Sequence, residues 1–355
     1  MKAIVLCAGL GTRLRPLTFS TAKHLIPVAN KPVLFFGLES LIEVGARDIG
    51  IIVSKESRGV IQNAVDDGQR WGARVTYIEQ PQPRGLAHAA QCARSFVGTD
   101  EFVMYLGDNL IPEGLSQAVA LFRRSRANAL VMLKAVDDPS SFGIAELSGD
   151  RIVRLVEKPK HPRSNLAIVG GYVFDHHVFD AIARIQPSWR NEYEITDAIQ
   201  DLIDHQFTVV PYIVHGWWKD TGKPADVLEA NRAMLQQLHG AVHGRVDARS
   251  TIDGTVVIGE DAEIIDSHIR GPAIIGAEAR IISSSIGPFT SLGDRVHVSH
   301  SHIEDSVVMD DSVIRDVRTP IAGSLIGRKV QVTTAAPAGG GVRLLLGDFC
   351  ETDLA

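Results

Sequence analysis

From Ser250 to Val330 the sequence repeats with a period of 17 residues, and that repeat leaves little choice of fold. Ile258, Ile275, Leu292 and Ile326 share one register, each with glycine after it, and Met309-Asp310 fills the place between the last two. Six residues earlier stand Ile252, Ile269, Ile286 and Ile303; six later stand Ile264, Ile281 and Val298. Ala262, Ala279, Val296, Val313 and Val330 keep the same period, and so do Ser250, Ser267, Ser284 and Ser301. A coil with three flat faces needs one inward apolar residue per face, which is what three such columns supply. The pattern predicts hexapeptide-type coils of a parallel β-helix, with one corner a residue short of three full hexads. The register weakens after Asp316. Ala335–Gly341 reads as a flexible linker, and Val342–Leu346 as a last strand for this chain or for a neighbour.

Before the repeat the chain has a different rhythm. Apolar runs at Ala3–Leu6, Ile49–Val53, Val75–Ile78 and Phe102–Leu106 alternate with helical patterns at Val33–Val44, Arg58–Asp67, Gly85–Ala93 and Gly114–Arg124. Such alternation predicts an α/β fold, Rossmann-like, with a mostly parallel sheet covered by helices on both faces. Further strands are expected at Ala129–Val136, Ile144–Leu147, Ile152–Glu157, Ile168–Phe174 and Phe207–Ile213, and helices at His177–Ile185, Thr196–His205 and Pro224–Leu238. The resulting domains are 1–240 for the sheet, 241–332 for the β-helix and 333–355 for a linker and tail. Ligands of such sheets bind beyond the carboxyl ends of the strands. That rim carries Gly9–Arg13, Glu79–Gly85 and Gly107–Asn109.

The first of these loops is a phosphate cradle by its chemistry. Glycines let backbone N–H groups approach an anion, and Arg13 behind Gly9, Gly11 and Thr12 adds a forked cation. Lys23, ten residues on, is a second cation able to fold back onto the same phosphates. The dinucleotide fingerprint fails because Leu14 stands where its third glycine belongs, and the ATPase loop fails because Gly11 is followed by Thr12 and Arg13 rather than by lysine and serine.

Four further positions fit a triphosphate site. Asp108 directly follows an apolar strand, where a carboxylate can hold a divalent cation against phosphates, and Asp220 is a candidate second carboxylate; magnesium asks for one or two. Lys158 ends another strand, placed for the phosphate of an acceptor. Gln80, in a proline-stiffened loop, offers one donor and one acceptor to a pyrimidine edge.

Composition excludes several classes. The net charge is −6 over 355 residues, without a long basic run, which argues against a nucleic-acid partner. No apolar stretch nears the ~18 residues that span a bilayer. Cys7, Cys92 and Cys350 are too scattered for a disulfide framework or a zinc site, which fits a reducing cytoplasm. No leader is expected ahead of the first strand. The histidines form no metal-binding set; His297, His300 and His302 fall on coils.

The string Leu6-Cys-Ala-Gly-Leu-Gly-Thr-Arg-Leu-Arg-Pro-Leu-Thr18 resembles the signature of sugar-phosphate nucleotidylyltransferases. With Ile26–Pro32, Gln80–Ala89, Tyr105–Asn109, Leu155–Pro159, Glu192–Asp197 and Trp217–Gly222, nearly the whole chain resembles the long-form glucose-1-phosphate thymidylyltransferases. The resemblance implies a nucleotidyltransferase domain followed by a left-handed β-helix, Mg2+ as cofactor, and a homo-oligomer with no membrane partner. It implies that Ala8, Gly9, Gly11, Thr12, Arg13, Lys23 and Asp108 hold the nucleotide, and that Gln80 and Gly85 read the base. Gly143, Glu157, Lys158 and Gly171 would hold the sugar phosphate, and Asp108 and Asp220 the metal. Arg13, Lys23, Asp108, Lys158 and Asp220 would carry catalysis, a nucleoside triphosphate and a sugar-1-phosphate being the substrates. His24 replaces a glutamine that in relatives helps read the base, so thymine and uracil both stay open, with uridylyl transfer as the alternative. Sugar acetylation on the coils and a non-catalytic regulatory role are more distant readings.

Overall fold

The computed structural model describes Met1–Thr333. The expected linker, the last strand and Cys350 lie outside the described residues. The chain forms two compact units: one of Met1–Gly11, Thr21–Leu25 and Val33–Asp220, the other of Thr12–Ser20, Ile26–Pro32 and the chain from Thr221 onward.

The first unit is built on a nine-stranded sheet. Lys2–Cys7 lies between Phe102–Leu106 and Asp48–Val53, parallel to both, and Arg74–Glu79 extends the parallel part at the edge. On the other side Leu166–Phe174 runs antiparallel to Phe102–Leu106 and pairs with Ala129–Ala135 and Gly143–Ser148. The sheet is therefore mixed, parallel over the first four strands in sequence and largely antiparallel beyond. Its first strand is apolar from Ala3 to Cys7 because both faces are covered. Ile4 and Leu6 point into one core, and Ala3, Val5 and Cys7 into the other. Helices Val33–Glu43, Lys55–Val65, Leu86–Cys92, Ser116–Ser125, His177–Arg184 and Ile195–Asp204 fall within a few residues of their expected places.

The second unit contains the coils. Three parallel sheets of six, six and five short strands run from Ala241 to Thr333. Ile258, Ile275, Leu292 and Val308 stack on one face, Ile264, Ile281, Val298 and Ile314 on the second, and Ile269, Ile286 and Ile303 on the third, all fully buried. The coils continue past Asp316, where the sequence register weakens. Val308 pairs with Ile326 across an insertion of one residue relative to the repeat, and Ile314 with Val332. Corners fall on non-glycine residues with positive φ, such as Asp261, Glu278 and Arg295, and Asp266, Ser283 and His300. The serine column holds these corners. The Ser267 hydroxyl accepts from the Ser284 N–H at 3.1 Å and donates to the Ile265 carbonyl at 2.7 Å, and Ser284 and Ser301 repeat the pattern.

The expected boundary near Gly240 marks a change of sequence pattern, whereas packing groups helix Pro224–Leu235 with the coils. The reason is Asn231, which is fully buried. Its amide donates to the Phe289 carbonyl at 3.0 Å, and its oxygen accepts from the Ser291 hydroxyl at 2.7 Å and the Ala29 N–H at 2.8 Å.

Candidate active site

The first strand ends at Cys7 and the chain turns out over the carboxyl edge of the sheet. Ala8 is buried beneath the turn, and Gly11 takes a φ of 64°, the left-handed region that favours glycine. Gly9 is needed for a different reason. A Cβ there would come within 3.0 Å of Lys23 Cε, so the glycine leaves room for the lysine to lie across the loop as it does. Lys23 opens the short turn Lys23–Leu25, and its ammonium pairs with the Asp108 carboxylate. Thr12 and Arg13 are exposed and begin the next turn, Thr12–Leu14, which belongs to the second unit.

Asp108 is 8% exposed and follows Gly107 at the end of strand Phe102–Leu106. Burial disfavours its charge, but the adjacent Lys23 and the Asn109 amide outweigh burial and hold the carboxyl below the usual carboxylate range. Gly107 has no room for a side chain, since a Cβ would strike Cys7 Sγ at 2.5 Å. Asp220 reaches the same place from far along the sequence. Lys219–Asp220 pairs antiparallel with Asn109–Leu110, setting Asp220 opposite Asn109.

Asn109 ties this corner together, and sequence reasoning passed over it. It is 2% exposed; its amide donates to Asp108 Oδ1 at 3.0 Å, and its oxygen accepts from Trp218 Nε1 at 2.7 Å and the Gly170 N–H at 3.2 Å. One side chain thus orients the first carboxylate and fixes the strand carrying the second. Asp108 immediately precedes this ladder and Asp220 lies on it, so the chain brings both carboxylate-bearing residues to one corner of the rim. No group of three or more His, Cys, Asp or Glu side chains suited to a metal occurs among the described residues.

Gln80 follows strand Arg74–Glu79 and is 7% exposed, its amide nitrogen donating to the Gly85 carbonyl at 3.2 Å. Gly85 has a φ of 98°, and a Cβ would come within 2.5 Å of the Tyr193 carbonyl oxygen. The loop is pinned there: the Tyr193 N–H donates to the Arg84 carbonyl at 2.7 Å, and the Arg84 guanidinium sits 4.9 Å from the Tyr193 ring.

A second group of charged residues surrounds Glu157. Gly143 pairs with Glu157 across the hairpin, and a Cβ on it would meet Thr196 at 2.8 Å and Glu157 Oε2 at 3.0 Å. Lys158 has a φ of 42°, a strained conformation for a residue with a side chain, held by its N–H on the Phe142 carbonyl at 3.1 Å. Arg190 is another residue sequence reasoning missed. It reaches Glu192, Glu194 and Glu157 at 3.0, 3.3 and 3.5 Å, although nothing local in its spacing marks it. Burial, and then Glu194, push the Glu157 carboxyl above its usual range, with Lys158 and Arg190 opposing.

Gly171 lies within strand Leu166–Phe174. A Cβ there would strike Met132 Sδ at 2.6 Å, with Ile111 and Leu115 close behind, so its glycine serves core packing. The bulge between Ile168 and Tyr172 turns its neighbour Gly170 toward Asn109 instead.

His24, next to Lys23, is 1% exposed and its Nδ1 has no hydrogen-bond partner. Burial, and then the Lys23 charge, push its pKa down to about 3, so the ring is neutral. Its Cδ2 lies 3.2 Å from where a Gly107 side chain would begin, which sets it behind the Asp108 turn.

With this geometry in place, the comparisons with known proteins agree on one chemistry. The family profile described as nucleotidyl transferase matches residues 2–237. The chain is 49% identical to the glucose-1-phosphate thymidylyltransferase of Streptomyces antibioticus, over 100% of this chain and 99% of that protein. It is 46% identical to the low-salt glycan biosynthesis nucleotidyltransferase Agl11 of Haloferax volcanii, over 94% of each. Among solved structures, a UDP-glucose pyrophosphorylase complexed with UDP-glucose aligns with a TM-score of 0.60 at 25% identity, covering 67% of this chain and 99% of that one.

Proposed function

This chain belongs to the nucleotidyl transferase family and, within it, to the glucose-1-phosphate thymidylyltransferases, and on that footing we propose that it transfers a nucleotidyl group from dTTP to glucose-1-phosphate, giving dTDP-glucose and pyrophosphate. The observation that carries this reading is the Lys23–Asp108 pair lying over Gly9. It is a cation and an anion on a phosphate-type loop, each ready to exchange its partner for a component of a metal-bound triphosphate.

A sugar-1-phosphate is already anionic and needs no general base. One of its phosphate oxygens attacks the α-phosphorus in line; that P–O bond forms as the bridging bond to the β-phosphate breaks, and pyrophosphate leaves with the electron pair. The protein contributes position and charge. Ala8, Gly9, Gly11, Thr12 and Arg13 would line the triphosphate, and Lys23 would pass from Asp108 to its oxygens. Gln80 and Gly85 would read the base. Gly143 and Glu157 would hold the sugar, and Lys158 its phosphate. Asp108 and Asp220 would hold magnesium, which supplies neutralisation of the charge that builds on the phosphates. We place the reaction in the cytoplasm, in keeping with free thiols at Cys7 and Cys92, and in a homo-oligomer whose coils serve assembly or regulation.

The test is pyrophosphate release from glucose-1-phosphate with dTTP, UTP, dCTP, ATP and GTP. The highest kcat/KM is expected with dTTP. No turnover with any pyrimidine nucleotide would reject the reading. UTP outrunning dTTP would move it to uridylyl transfer, which the buried His24 beside the nucleotide loop keeps in contention.

A further inference from the structure

Gln80 can select a base only if its amide is held one way round, and two contacts decide which way. Its nitrogen donates to the Gly85 carbonyl at 3.2 Å and lies 3.0 Å from His88 Nδ1. A carbonyl can only accept, so the end facing Gly85 is the NH2 group. The same nitrogen faces His88, whose Nδ1 must therefore be the acceptor, with the ring proton on Nε2. Both amide protons are engaged on one side, and the Gln80 oxygen is turned away from Gly85 and His88. A neutral His88 suits this, and burial, followed by the Arg84 charge, lowers its pKa, with only the Gln82 carbonyl opposing.

We infer that His88 is a positioning residue for base choice, holding the Gln80 oxygen toward the base so that the site accepts an N3–H and rejects a bare N3. Thymine and uracil carry a proton on N3. Cytosine presents a lone pair there, which would face the glutamine oxygen acceptor to acceptor. The Gly85 carbonyl alone is a single anchor about which the amide can swing; the second bond to His88 fixes its plane. His88 need not touch substrate for this. The inference rests on the reading that Gln80 faces the base, and it concerns pyrimidine against pyrimidine, leaving the choice between thymine and uracil untouched.

The experiment compares dTTP with dCTP at saturating glucose-1-phosphate, for the full chain and for His88→Leu and His88→Asn. One hydrogen bond is worth about 0.5–1.5 kcal/mol, which is roughly 2- to 10-fold. His88→Leu is expected to raise the KM for dTTP by about that factor and to lower the dTTP-over-dCTP preference similarly, with the KM for glucose-1-phosphate unchanged. In His88→Asn the side-chain oxygen takes the place of Nδ1 and is expected to restore most of the preference. Wild-type preference in His88→Leu, equal KM changes for both substrates, or an asparagine variant as poor as the leucine one each overturn the inference. If His88→Leu does not fold, His88→Ala supplies the variant without an acceptor at a helical position. A wild-type enzyme that releases no pyrophosphate with either pyrimidine nucleotide overturns the proposed function itself, which is a separate result.

Discussion

The coils and the carboxyl rim of the sheet both bury polar side chains, but they use them in opposite ways. In the coils, Ser267, Ser284 and Ser301 are alike, and each is satisfied twice, accepting from the next coil and donating to a carbonyl two residues back. At the rim no two buried polar groups are alike. His24 has an Nδ1 without a partner, Gln80 spends both protons on one side, and Asp108 keeps its charge against burial with the help of Lys23 and the Asn109 amide. Polar burial that serves the fold is periodic and closed on itself. Polar burial at the rim is singular, and at His24 it is left incomplete. Natural chains break the rule of full satisfaction mainly where function requires it.

The sharpest way to break this contrast is at Asp108. If its carboxylate is kept charged for a metal-bound triphosphate, Asp108→Ala should lower kcat about a thousandfold or more, a loss of roughly 4 kcal/mol in the barrier. Initial rates across a magnesium titration measure it. A variant that keeps near wild-type turnover would show that the rim's unusual charge is structural after all.

The two regions were also legible in the sequence to different degrees, for the same reason. A column that recurs every turn can be counted, so the inward residues of the first coils are legible in the sequence, whereas at the fourth turn Val308 rather than Met309 fills the column. The central strands of the sheet are readable because burial on both faces makes them largely apolar. The loop glycines are readable by type, and at Gly85 the Tyr193 backbone excludes a side chain. What stayed hidden were the residues whose meaning lies in a distant partner. Asn109 matters through Trp218 and Gly170, Arg190 through Glu157, and Asn231 through Phe289 and Ser291. None has a local spacing that announces it. Nor does the sequence say which way two adjacent glycines face: a side chain at Gly170 would meet Asn109 and one at Gly171 would meet Met132.

A smaller effect is expected from His24, and its sign follows from burial. The folded state holds this histidine neutral down to about 3, while the unfolded chain protonates it near its ordinary value of 6.5. Between those values the unfolded state binds the extra proton, so stability rises with pH and is lost on acidification. At about pH 5 that is about 2 kcal/mol relative to neutrality. His24→Gln, which cannot titrate, should flatten that part of the slope in urea melts at about pH 5 and about pH 7. Equal slopes for the two proteins would mean that the buried ring finds a proton-stabilising partner, and that the rim is less incomplete than it looks.

The smallest effect is expected from the coils, and it tests the other half of the contrast. Ser284→Ala removes the acceptor for the Ser301 N–H at 3.2 Å and the donor to the Ile282 carbonyl at 2.7 Å. One buried N–H is left without its partner, at a cost of about 1–2 kcal/mol. Because each serine also bonds its neighbour in the stack, Ser267→Ala and Ser284→Ala together should cost less or more than their sum by about 0.5 kcal/mol or above, the signature of contacting residues. Turnover per folded molecule should not change in either variant. If it falls while the melting curve stays put, the serine column is not spent on the fold, and coils and rim differ less in purpose than in pattern.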